Sequence, residues 1–279
     1  MSNPSDLSAT FRRLHGRGPI LALPNAWDAG SARVMETAGA AAIATTSAGL
    51  SWSRGYPDGN ALPPRVLAPA VAEIARVLSV PLSVDVEGGY SDEPPAVGET
   101  VRAVMDAGAV GINLEDGTAP PDLLCAKIEA ARAAAEKSGI ALFVNARCDV
   151  YLRRLFSGSA AVTEALARGR RYRAAGADGF FLPALSEGAA IREIVGGLDG
   201  MPLNLLVVPG LPPLTELDAL GVRRVSAGSG IALAVAGLAR RAAERFLQGG
   251  RYDTMLEGAM AYGEMNALFR QAERMGDRL

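Results

Sequence analysis

PLSVDVEGGY, residues Pro81 to Tyr90, is the stretch on which the fold turns. A short apolar run bounded by a proline and a glycine pair reads as a buried strand. Alternation along it puts Asp85 and Glu87 on one face and Val86 on the other. Two carboxylates side by side at the exit of a buried strand repel each other and lose hydration. A bound cation relieves this, and paired oxygen ligands suit Mg²⁺ or Mn²⁺. A solvated strand end facing arginines would relieve it too, so on this stretch alone both readings stand. The endings of the other strands decide between them.

Outward from Pro81, strand and helix signals alternate. Ile20–Asn25 (ILALPN) precedes the helical AGSARVMETAG. Ala41–Gly49 (AAIATTSAG) runs into the polar loop LSWSRGYPDGNALPP, and the helix VLAPAVAEIARVL leads back to Pro81. Downstream come the helix AVGETVRAVMDAG, the strand AVGINLEDG (Ala109–Gly117), a further helix and the strand IALFVNARCD. A long helix around Val162–Ala175 and the strands ADGFFLPA, LNLLVVPG and VRRVSAGSG follow. Two helical segments, Ile231 to about Gln248 and Arg251 to about Met275, complete the chain. Eight short apolar strands, each followed by a helix, predict an α/β fold. The count predicts a (β/α)₈ barrel, one domain over residues 1–279 with a C-terminal helical extension from about Ile231. A doubly wound open sheet would lack the eightfold count and usually opens on a glycine-rich turn, which is absent after Pro24.

Composition narrows the chemistry. The net charge is −2 and 49% of the 279 residues are hydrophobic, which supplies a large core and argues against nucleic acid or an anionic membrane as partner. No apolar run reaches the roughly 18 residues of a membrane span, and the N-terminus lacks the apolar centre of a signal peptide. Cys125 and Cys148 show no framework spacing, so a reducing compartment, the cytoplasm, is expected. The single histidine, His15, argues against a histidine-held zinc. The two lysines, Lys127 and Lys137, fall in a helical pattern, poorly placed for a Schiff base.

Barrel chemistry sits at the C-terminal strand ends. Those ends carry Asn25 with Asp28 beyond it, Thr45 to Gly49, Asp85 and Glu87, Asn113, Glu115 and Asp116, and Asn145, Arg147 and Asp149. Later strands contribute Pro183, Pro209-Gly210 and Ser226-Ala227-Gly228. If the strands run in register, Glu115 lies at the depth of Glu87. Three acids with no lysine or histidine among them point to a hard divalent ion. Arg147 offers a fork for a substrate carboxylate or phosphoryl group, with a simple ion pair to Glu115 as the alternative. The Ser47-Ala48-Gly49 turn can aim backbone N–H groups at an oxyanion, or be an ordinary small-residue turn.

Taken together, PNAWDAGSARV, TTSAGL…GYPDG, VDVEGGY, GINLEDG and VNARCDVYL resemble the phosphoenolpyruvate mutase/isocitrate lyase superfamily, most closely its phosphonomutase-like branch. The resemblance spans the first two-thirds of the chain. It implies Mg²⁺, with Mn²⁺ the alternative, at Asp85, with Glu87 and Glu115 near it largely through water. It implies that Asp58 lies over the metal and reacting group, and that Ser47, Ala48, Gly49 and Arg147 hold the substrate; Asn113, a strand-end pocket residue, is expected to bind substrate with them. The implied chemistry makes or breaks a C–C or C–P bond next to a small 2-oxo or 2-hydroxy acid through a metal-stabilised enolate. A homotetramer with exchanged terminal helices is also implied, and the Met-rich C-terminal helices (Met255, Met260, Met265) agree with it. The sequence departs from the isocitrate lyases after strand four. GTAPPDLLCAK stands where they carry a Lys-Arg-Cys-Gly-His loop, and Cys125 falls in an apolar helical pattern. The acid/base is thereby unassigned, with Asp58, Tyr56 and Tyr90 as candidates. Three expectations follow: a lyase or mutase, a hydrolase or decarboxylase of oxaloacetate-like acids, or a barrel that binds acids without turnover.

Overall fold

The computed structural model describes residues 4–16 and 18–276, the side chains as far as Arg270. The chain opens with α1 (Pro4–Leu14), β1 (Leu21–Leu23), β2 (Asn25–Ala26), α2 (Ala29–Thr37), β3 (Ile43–Thr45) and α3 (Ser47–Ser53). There follow α4 (Pro64–Arg76), β4 (Leu82–Asp85), α5 (Pro94–Asp106), β5 (Gly111–Glu115), α6 (Pro121–Ser138) and β6 (Phe143–Arg147). Then come α7 (Gly158–Ala174), β7 (Gly179–Leu182), α8 (Gly188–Gly197), β8 (Leu203–Leu206), α9 (Leu214–Ala219) and β9 (Arg224–Ser226). The extension is α10 (Gly230–Gly249), α11 (Asp253–Leu256) and α12 (Tyr262–Gly276). Prolines open α4, α5 and α6, where their missing N–H costs nothing and their fixed φ suits the first turn.

All strands pair in parallel in the order β1-β9-β8-β7-β6-β5-β4-β3-β2, the closed ring of a (β/α)₈ barrel. Nine strands make an eight-stranded barrel because Pro24 divides the first. Lacking an N–H, it interrupts the ladder. Residues before it pair with β9 (Leu23 with Ser226), and residues after it pair with β3 (Asn25 with Ala44). The Pro24 carbonyl still accepts from Ala44 N at 3.0 Å.

Two apolar layers hold the ring. The larger lies between strands and helices, with Val84, Ile112, Val144 and Leu205 facing helix residues such as Val101, Ile128 and Ile194. The smaller lies inside the barrel at its N-terminal mouth, where Leu21, Ala42, Val110 and Phe143 close around Phe11 of α1. Gly111 is glycine because a Cβ there would meet the Phe11 ring at 2.6 Å. Burying Phe11 completely contributes on the order of 2–3 kcal/mol. His15, just past α1, stacks on Phe143 at 4.0 Å between centroids, and burial lowers its pKa to about 3. The bottom of the barrel is thus a dry stopper, and the opposite mouth is where polar side chains gather.

Sequence patterning misses α1 and reads the 251–275 region as one helix, whereas Gly258 at φ 70° lies between α11 and α12. It also counts Asp28 among pocket residues. Asp28 instead caps α2, accepting from Ser31 N at 2.7 Å while its own N–H reaches Ser31 Oγ at 3.2 Å. In the extension, Ile231, Leu233, Val235, Leu238 and Phe246 of α10 are exposed. The helix α12 lies against α2, with Arg33 Nε donating to Leu268 O at 3.0 Å.

Candidate active site

The C-terminal mouth holds a cavity of ≈ 200 Å³ lined by Asn25, Thr46, Ser47, Ala48, Asp58, Asp85, Asn113, Arg147, Ser226 and Ser229, with Phe181, Leu206 and Leu152 as apolar wall. Register assembles it. Asp85 stands opposite Asn113, Glu115 stands opposite Arg147, and Glu115 N donates to Glu87 O at 2.9 Å. Glu87 thus sits at the depth of Glu115, although it is no longer strand. The strand ends at Asp85, and Glu87 and Tyr90 take φ of 50° and 60°. Non-glycine residues pay for left-handed backbone and keep it where surroundings impose it, often at functional sites. The turn carries the Glu87 carboxylate under the Asn60 N–H, which donates to it.

These acids are poorly neutralised. Asp85 accepts from Glu87 N at 3.1 Å and, weakly, from Ser47 Oγ at 3.4 Å. Glu87 Oε1 is buried without a hydrogen bond. Burial pushes the pKa of Asp85, Glu87 and Glu115 upward; the charge of Asp58 raises the first two further, and that of Asp85 raises Glu87 and Glu115. Glu115 reaches about 8, even though Arg147 Nη1 lies 2.5 Å from its Oε2. Among the described residues, no three His, Cys, Asp or Glu side chains converge into a ready-made cage. The donor set still fits a hard divalent cation that keeps part of its water shell. It is all oxygen, negatively charged and partly unpaired, and Mg²⁺ is commonly held by one or two carboxylates.

A second acidic set lies beside the first. Asp149 holds Arg147 as a bidentate fork, at 2.7 Å to Nε and 3.1 Å to Nη2. Asp149 N donates to Asp116 Oδ1 at 2.8 Å, and Asp116 Oδ2 takes Arg168 Nη1 at 2.8 Å and Tyr172 Oη at 2.6 Å. Arg147 therefore lines the cavity with its fork engaged by Asp149 and a third N–H turned to Glu115.

The expected oxyanion turn is the first turn of α3. Ser47 and Ala48 line the cavity. Gly49 lies behind them, its N–H facing Thr46 Oγ1 at 3.4 Å. A Cβ on Gly49 would come within 3.0 Å of Thr46 and Trp27, so this glycine serves packing. Of the acid/base candidates, Asp58 lines the cavity, Tyr56 packs on the core, and Tyr90 lines a neighbouring hollow of ≈ 460 Å³ over Glu115. Lys127, set aside from sequence as merely helical, lines that hollow too. Its Nζ is tied to Gly88 O at 2.8 Å and Asp92 at 3.2 Å. Cys125 packs against the core.

Sequence reasoning passed over Arg224, which is fully buried inside the barrel. The signal was available: in RVS, Arg224 and Ser226 share a face, so a pocket serine places the arginine in the lumen.

A family model described as phosphoenolpyruvate phosphomutase matches residues 11–247. An uncharacterised protein of Mycobacterium tuberculosis is 40% identical over 224 residues, 79% of this chain and 82% of that one. A crystal structure from Burkholderia cenocepacia, provisionally described as a phosphonomutase, superposes with a TM-score of 0.80 at 40% identity, covering 85% of this chain and 98% of that chain. The 2,3-dimethylmalate lyase of Eubacterium barkeri is 28% identical over 225 residues, 77% of each chain.

Proposed function

Because the chain belongs to the phosphoenolpyruvate phosphomutase family, within the superfamily of enzymes that cleave C–C or C–P bonds, we propose that it is a Mg²⁺-dependent lyase or mutase. Its substrate on this reading is a small 2-oxo or 2-hydroxy carboxylic acid. The observation that carries it is the group Asp85, Glu87 and Glu115, three secluded carboxylates pushed toward their neutral forms at one end of the barrel, with Asp85 on the small cavity and Glu115 on the hollow beside it. Asp85 would hold the ion, with Glu87 and Glu115 near it through water. When bound, the ion would supply positive charge where the reacting acid gains negative charge. Arg147 binds the substrate carboxylate, and Ser47 with the start of α3 orients it. Asp58, which lines the cavity, would move a proton at the reacting carbon or hydroxyl.

The test is calorimetric titration of oxalate, a mimic of the enolate, into metal-stripped protein. Binding with Mg²⁺ and none without it is expected. No binding in either case would overturn the reading. The open hollow that Glu115 lines supports a second reading, hydrolysis or decarboxylation of an oxaloacetate-type acid, because water there would stand beside one of the three acids. Product analysis on 2-oxo acids separates the two. We also infer a cytoplasmic homotetramer, supported by the exposed apolar face of α10, which a second copy would cover. A monomer by light scattering would overturn that part. No helix among the described residues is long and apolar enough to cross a membrane.

A further inference from the structure

The side chain of Arg224 is 0% exposed and, among the described residues, meets no carboxylate within ion-pair or hydrogen-bond distance. Its partners are neutral: Nε donates to Ser226 Oγ at 3.2 Å and Nη2 to Asn113 Oδ1 at 3.2 Å, while Nη1 has no partner. Burial lowers its pKa to about 9, which leaves it a cation at neutral pH. An unpaired buried charge is among the most costly groups a core can hold, and an apolar side chain of similar volume would serve the fold better. Its position gives it a use. Both of its partners line the cavity, so it forms the layer directly beneath the pocket floor.

Arginine can only donate, so the Asn113 atom facing it is the amide oxygen. Asn145 Nδ2 donates to that same oxygen at 2.9 Å. With Oδ1 held by two donors, the amide cannot turn over, and Nδ2 is the end left for the cavity. Ser226 is fixed similarly, accepting from Arg224 and donating to Asn204 Oδ1 at 3.2 Å.

We propose that Arg224 is a positioning residue for substrate: it locks Asn113 with its N–H₂ toward the bound acid, so that the pocket selects a small carboxylate anion. This rests on the acid-binding reading above.

The experiment titrates oxalate in the presence of Mg²⁺ into wild type, R224M, N113A, the R224M/N113A double variant and N113D. R224M should weaken binding by at least about tenfold, the scale of one hydrogen bond to a charged group. The double variant should bind about as weakly as N113A alone, because Arg224 acts through Asn113. N113D keeps an acceptor toward Arg224 and Asn145 but replaces the donor with an anion. It should fold and lose oxalate, and it decides the matter even if R224M does not fold. Wild-type affinity in R224M or in N113D overturns the proposal while leaving the acid site standing, as do losses in R224M and N113A that simply multiply. No binding by wild type removes the acid site and this proposal with it.

Discussion

Two sets of carboxylates lie side by side at the mouth of this barrel, and they have been treated in opposite ways. Asp116 and Asp149 are buried and saturated, since a guanidinium, a phenol or a backbone N–H meets each oxygen. Asp85, Glu87 and Glu115 are about as secluded, but they have one arginine contact among them and an oxygen with no hydrogen bond. A buried acid costs the fold heavily unless it is paired. The saturated set can be understood as scaffold. The unsaturated set keeps acceptor capacity that the proposed cation would use.

That contrast can be broken by experiment. The largest expected effect is Asp85→Ala. Loss of a supporting residue near a metal typically costs 10–100-fold in affinity. Loss of the direct ligand should therefore weaken Mg²⁺-dependent oxalate binding by more than about 100-fold, with little loss of thermal stability. Near-normal binding in calorimetry would erase the distinction between the sets. Next is Asp116→Ala, which leaves Tyr172 Oη and Asp149 N without their acceptor and Arg168 with Glu164 alone, and should cost about 2–3 kcal/mol in urea unfolding. Oxalate affinity of the folded protein should stay within a few-fold of wild type.

The smallest effect has a pH signature. With chelator present, folded Glu115 keeps its proton up to about pH 8, whereas the unfolded chain releases it near the ordinary glutamate value of 4.5. Between those values unfolding releases a proton, so stability falls as pH rises, by at most about 1.4 kcal/mol per unit. Glu115→Gln should flatten that slope, and added Mg²⁺ should oppose it increasingly toward pH 8. A slope unchanged by Glu115→Gln would assign it elsewhere.

Much of this was legible in the sequence because parallel barrel strands are short apolar runs whose polar residues cluster at one end. The strand count, the register of Glu87 with Glu115 and most cavity residues follow from that alone. What stayed hidden depends on contacts distant in sequence. Asp149 and Asp116 read as pocket acids, and only the approach of Arg168 and Tyr172 from α7 reveals them as anchors. Gly49 reads as an oxyanion turn until Trp27 is seen against it. The helix α1 carries charges that suit a surface helix, and its one decisive residue, Phe11, finds its partner 132 positions away at Phe143.

The divided first strand carries a consequence for the order of synthesis. Leu21–Leu23 cannot be paired until Arg224–Ser226 has been made, and Gly228 N reaches back 203 positions to Asn25. Contacts of such separation slow folding, since a long loop must close before they reward it. Every acid of the site is in place by Asp149, but the floor beneath them arrives last. On the ribosome the chain holds an open trough with an apolar lining for most of its birth, so the closing seam, rather than the catalytic mouth, sets when it becomes safe from aggregation.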